Sequence, residues 1–179
     1  MNPTLADWSN YYVITGSSAA ALTGLMFVVI TLVAGQERVI KNMRDGVETF
    51  SSPTVVHFCA ALLVSAILAA PWSSLTGAAV ALALTGLGGI AYGARVLWRM
   101  SRPTAYRPQL EDWVWYAVVP VAAYVAILAA ALALTSVPTE ALFALAGGTI
   151  ALIFTGIRNA WDVVTFIAVE YKIPDQPPE

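Results

Sequence analysis

Charge is what this chain has least of: 11% of its 179 residues are Asp, Glu, Lys or Arg, where a soluble domain carries about a quarter. A single cysteine, Cys59, excludes an intrachain disulfide framework or a multi-cysteine metal site. A single histidine, His57, excludes a two-histidine ligand set, so no metal or other cofactor is expected. The opening MNPTLADWSN contains no Lys or Arg, so the basic start of a cleaved signal peptide is missing. Asn2-Pro3-Thr4 only imitates a glycosylation sequon, because proline in the middle position blocks it. What the chain has in abundance is apolar surface. Hydrophobic residues make up 59% of it, which together with so little charge is the composition of a membrane protein.

A hydrocarbon core about 30 Å thick takes about 20 apolar residues per helix. Five stretches fit, near 11–35, 54–71, 74–99, 113–136 and 140–168, the second of them short. All nine basic residues fall at one end of these spans: Arg38, Lys41 and Arg44 after the first, Arg95, Arg99, Arg102 and Arg107 closing the third, Arg158 and Lys172 closing the fifth. The positive-inside rule makes that end cytoplasmic. The expected fold is an all-α membrane protein, a bundle of about five transmembrane helices in one domain over residues 1–171, with the amino terminus outside and the carboxyl terminus in the cytoplasm. An even number of spans would put Lys172 on the wrong side.

Between the first two spans, Val39, Ile40, Met43, Val47 and Phe50 recur at helical spacing among charged residues. That pattern predicts an interfacial amphipathic helix, with Ser51, Ser52 and Pro53 as its stop. Pro71–Ser74 and Ser136–Thr139 read as outer turns, with Thr139 as a helix cap. Tyr11, Tyr12, Trp113, Trp115 and Tyr116 read as aromatic belts, and the proline-rich tail 172–179 as disordered.

Lipid supplies no hydrophobic drive between helices, so association depends on small residues and on hydrogen bonds across the gap. Gly16, Ala20 and Gly24 in the first span, and Gly77, Ala81, Thr85, Gly89 and Gly93 in the third, are the expected packing positions, each set on one helix face. GLGGIA at 86–91 matches a dinucleotide-binding fingerprint, but it lies inside an apolar span where no strand precedes it. Pro120 removes a backbone donor from the fourth span, which predicts a bend and a carbonyl left for a partner or a water.

The stretch GIRNAWDVV, Gly156–Val164, gathers Arg158, Asn159 and Asp162 near the cytoplasmic edge of the hydrocarbon. Arg95, His57 and Thr31 reach a similar depth. A polar layer at the cytoplasmic mouth is therefore expected from His57, Arg95, Arg158, Asn159, Asp162 and Thr31, with Asp162 meeting Arg95 from the third span as well as Arg158 four residues away. Such a layer can clamp helices, form an ion-selecting vestibule, or respond to protons through His57. Arg95, Arg99 and Arg102 share a face and read as an anchor at lipid headgroups.

YYVITGSSAAALTGLMFVVITL and GIRNAWDVVTF resemble patterns in small multi-pass proteins of bacterial inner membranes. The resemblance implies that location and carries no activity. An enzyme is the least expected class, since the sequence has no G-x-S-x-G elbow, no phosphate-binding lysine loop and no pair of intramembrane carboxylates. The expected function is a homo-oligomeric channel for ions or small polar solutes. The alternative is a non-catalytic helical subunit or assembly factor of a larger membrane complex. Partners are membrane lipids and further copies or other membrane subunits, with no nucleic acid.

Overall fold

A computed structural model describes residues 5–34, 37–101 and 110–170, with side chains over 5–31, 53–101 and 110–165. Among these residues every regular element is helical: α1 (Ser9–Ala34), α2 (Glu37–Ala69), α3 (Leu75–Met100), α4 (Leu110–Ala133) and α5 (Pro138–Glu170). Four of them, α1, α3, α4 and α5, are long and apolar enough to cross a membrane, while the apolar part of α2, Pro53–Ala69, is shorter. That is the pattern of an integral membrane protein.

The helices α2, α3, α4 and α5 form a four-sided bundle in which α2 and α4 each pack against both α3 and α5. This order puts α3 and α5 at opposite corners, and α2 and α4 at the other two. α1 lies outside the square, along α2, and touches α5. The core between them is filled by Leu68, Leu82, Ile127, Leu142, Leu145 and Leu152.

The stop expected at Ser51–Pro53 is absent, since α2 runs unbroken from Glu37 to Ala69 with Pro53 inside it. A proline deletes one N–H, and a helix whose apolar half is packed against three neighbours tolerates that single loss. The interfacial placement expected for the amphipathic stretch lies outside the described side chains, as do Arg38, Lys41 and Arg44. Arg102, Arg107, Lys172 and the tail lie outside the described residues.

At the turn between α2 and α3 the Trp72 indole N–H donates to the Ile67 carbonyl at 2.6 Å, closing the end of α2. Ser74 then caps α3, its hydroxyl accepting from the Thr76 N–H at 3.2 Å. Gly77 serves this turn rather than a helix pair, because a β-carbon there would stand 2.7 Å from the Trp72 ring. At the second turn α5 begins at Pro138, where a missing N–H costs nothing. Thr139 therefore sits inside the first turn and does not cap it. Beyond Arg158 the helix continues to Glu170 without a break.

Two of the expected belt residues are buried instead. The Tyr12 hydroxyl donates to the Leu142 carbonyl and that of Tyr116 to the Asn159 carbonyl, each at 3.5 Å. A phenol inside an apolar bundle needs an acceptor, and a helical carbonyl has a second lone pair to offer. Tyr11, half-buried, donates in the same way to Ala146 at 2.8 Å.

The small residues divide into two groups. Gly16 lets α1 approach α2, where a β-carbon would lie 3.0 Å from the Ser65 β-carbon, and Thr15 and Ser65 share a hydrogen bond of 3.0 Å beside it. Gly86, Gly89 and Gly93 bring α3 onto α4: added β-carbons would stand 2.9 Å from Leu128 and 2.5 Å from Val121 at the outer two, and would overlap the edge of the Tyr124 ring at Gly89. Ala81 and Thr85 are half-buried, and the Thr85 hydroxyl bonds its own helix at Ala81. Ala20 and Gly24 do not pack within the protomer, since both are exposed and Gly24 has nothing within 4 Å of its missing side chain.

Candidate functional site

The half of the bundle that holds Arg158 and Asn159 is organised by a fault in α4. From Val114 to Val118 the helix widens into a π turn, in which the Val119 N–H bonds back to the Val114 carbonyl five residues away. In that register the Trp115 carbonyl needs the N–H of residue 120, which is proline. Asn159 on α5 fills the gap, its side-chain Nδ2 donating to the Trp115 carbonyl at 3.4 Å. The Tyr116 hydroxyl returns to the Asn159 carbonyl, so each helix satisfies the other. Asn159 is fully buried, and its place is the one expected from Pro120: a freed carbonyl with a polar partner.

His57 and Tyr124 join the opposite corners α2 and α4. The His57 Nδ1 lies 3.0 Å from the Tyr124 hydroxyl, and both side chains are buried. Each is given room by a glycine or beside one. Tyr124 lies on Gly89 of α3, and Phe58, next to His57, lies on Gly156 of α5, where a β-carbon would stand 2.8 Å from its Cζ. Without those two glycines the square could not close at this level. Thr54, one turn before His57, is buried as well.

The charged residues sit at the edge of this layer. Arg158 pairs with Asp162 one turn along α5 and reaches Glu111 of α4 at 3.6 Å, with its guanidinium 5.9 Å from the centre of the Trp115 ring. Its side chain is 35% exposed and those of Asp162 and Glu111 are 37% and 78% exposed. Asp162 therefore meets Arg158, as expected, but not Arg95. The reason is helix order: α3 and α5 stand at opposite corners, with α4 between them, and Arg95 is exposed on α3. Arg99 is exposed one turn further along α3, a placement suited to headgroups. Thr31 is exposed on α1 and its hydroxyl bonds its own helix at Phe27, so it does not join the layer.

Comparison with family models, curated proteins and solved structures finds no match for this chain. Its chemistry has to be read from its own residues. Among those described, no three His, Cys, Asp or Glu side chains gather as metal ligands. The layer instead consists of neutral donors and acceptors inside the bundle and an ion pair at its rim. Because the rim is so exposed, Asp162→Asn is expected to cost less than about 0.5 kcal/mol, and less again at high salt. Unfolding in bicelles at two salt concentrations checks this, and a salt-independent loss above about 1 kcal/mol would contradict it.

Tyr124, Tyr116, Thr54, Phe58 and Glu111 are the participants that sequence reading missed. Tyr124 carried a signal, a phenol in the middle of an apolar span that must find a partner. Phe58 and Glu111 carried none, because only the pairing of helices gives them their roles.

Proposed function

We propose that the chain is a non-catalytic helical subunit of a bacterial inner-membrane assembly, threaded with its amino terminus outside, and that copies of it associate through the outward face of α1. The composition of that face carries the proposal. Ser17, Ser18, Ala20, Ala21 and Gly24 are all exposed on the protomer. Of the apolar stretch of α1, 22% is buried, against 56% for α5. α3 is as uncovered as α1, and both expose bulky side chains, Val80, Leu84, Leu87 and Trp98 on α3 and Val13, Ile14, Leu25, Phe27 and Val28 on α1; between the bulky groups of α1, however, Ser17, Ala20, Ala21 and Gly24 follow at three- and four-residue spacing as one small patch. Bulky side chains of that kind fill space among lipid tails, whereas a small-residue face lets another backbone come close.

Mass measurement in mild detergent tests the association. A defined multiple of the chain mass is expected, and Gly24→Ile is expected to weaken assembly about tenfold, equivalent to about 1.4 kcal/mol, while Gly24→Ala leaves it intact. A monomer at every concentration, or an assembly indifferent to Gly24→Ile, removes self-association. Capture of other membrane subunits in place of copies redirects the same face to a different partner.

The channel reading is supported by the hydroxyls that α1 offers on its exposed surface, Ser17, Ser18 and Thr31. In a closed ring they would be repeated around the axis. Ion flux into liposomes containing the purified assembly separates a conducting ring from a purely structural one.

A further inference from the structure

Three buried polar atoms in the half of the bundle that holds Arg158 have no partner: Thr54 Oγ1, His57 Nε2 and Asn159 Oδ1. Their residues are 0%, 1% and 0% exposed, so bulk water does not reach them. An orphaned polar group in such a place costs about 1–3 kcal/mol, and three together are not left unanswered by chance. Helix register brings them to one level of the bundle. α2 and α5 run antiparallel, and Phe58 seats on Gly156 where they touch. One turn back along α2 from that contact is Thr54; one turn forward along α5 is Asn159, at the same level. His57 stands three residues after Thr54, the spacing that makes side chains neighbours on a helix.

Hydrogen bonding already made fixes what each atom can do. The Trp115 carbonyl only accepts, so Asn159 must present Nδ2 to it, which turns Oδ1, an acceptor, toward the seam. With Tyr124 donating to His57 Nδ1, the direction that a phenol's stronger donor character favours, the ring carries its proton on Nε2. The seam then holds one donor, Nε2–H, one acceptor, Oδ1, and the Thr54 hydroxyl, which can donate or accept. A water molecule has the complementary set, two donors and an acceptor, and buried waters typically make about three hydrogen bonds to groups of this kind.

We propose that the α2–α5 seam is a binding site for a single internal water, which accepts from His57 Nε2–H and donates to Asn159 Oδ1 and Thr54 Oγ1. The water links α2 and α5, and through His57–Tyr124 and Asn159–Trp115 it joins both to α4. The polar layer is thus one hydrogen-bonded unit across three helices rather than two separate pairs. The ligand class is narrow: a neutral molecule about the size of water, since a cation would face the Nε2 proton and an anion would face the Asn159 carbonyl oxygen, and no charged side chain is among the three.

Because His57 is the only histidine in the chain, nitrogen-15 histidine labelling gives one ring to observe. The full-length protein in bicelles is expected to show an Nε2-protonated neutral ring with magnetisation transfer from water to the Nε2 proton. Thr54→Val and Asn159→Leu are each expected to reduce that transfer several-fold, and Thr54→Ser to preserve it. A ring protonated on Nδ1, or no transfer from water in the unsubstituted protein, overturns the site whether or not the variants fold. Transfer undiminished in both Thr54→Val and Asn159→Leu overturns it too, because the water would then lie elsewhere.

Discussion

Gly89→Ala is expected to destabilise the bundle by about 2 kcal/mol, while Gly88→Ala, one residue away, stabilises it by up to about 1 kcal/mol. The two substitutions share the same gain, since alanine is the better helix former by about 1 kcal/mol. They differ in what the new methyl meets. At Gly88 nothing lies within 4 Å, whereas at Gly89 the β-carbon would overlap the edge of the Tyr124 ring. Tyr124 has no free direction in which to retreat, because it is fully buried and its hydroxyl is held by His57. Overpacking of that kind costs about 3 kcal/mol, which exceeds the propensity gain and leaves a net loss. Unfolding by SDS or heat in bicelles measures both variants. Equal stability of the pair would mean that α3 and α4 do not meet at this ring.

Asn159→Leu is expected to cost about 1.5 kcal/mol, near the upper end for hydrogen bonds inside membrane proteins. The substitution keeps the volume and removes the donor that serves the Trp115 carbonyl. Whether that carbonyl is the reason can be tested from the other side. Pro120→Ala returns an N–H to α4, and Trp115 then has an intrahelical donor whether the π turn persists or relaxes to an α-helix. In the Pro120→Ala background Asn159→Leu is expected to cost about 1 kcal/mol less, a coupling within the range that double-mutant cycles resolve. Strict additivity of the two changes would break the link between the proline and the asparagine.

That link shows how far a single sequence reaches. Pro120 announces that a carbonyl will be left over, because the lost donor is a property of the residue itself. The sequence also brings Asn159 to the right depth, since depth is residue count multiplied by a fixed rise. Arg95 and Asp162 share that depth too, and the expectation that they pair failed for a reason no count supplies. Two residues at one level meet only if their helices are neighbours, and α3 and α5 are not. The same limit explains the glycines. Four-residue spacing identified Gly77, Gly89 and Gly24 as one kind of position, but the first faces a turn tryptophan, the second a partner helix and the third the outside of the protomer. At Pro53 the local rule was overridden from outside, because packing beyond the proline carries the helix through.

Composition and apolar run length by themselves determined that the regular elements among the described residues are helical and where the four long apolar helices lie. Those features follow from the solvent: a backbone in hydrocarbon must bond within its own helix, and ionisable groups must stay near water. The order of the helices around the bundle was decided only by tertiary packing, and with it the pairing of His57 with Tyr124, of Asn159 with Trp115 and of Arg158 with Glu111. Lipid is indifferent to which apolar surfaces touch, so that order depends on where a glycine admits a ring and where an orphaned carbonyl meets a donor.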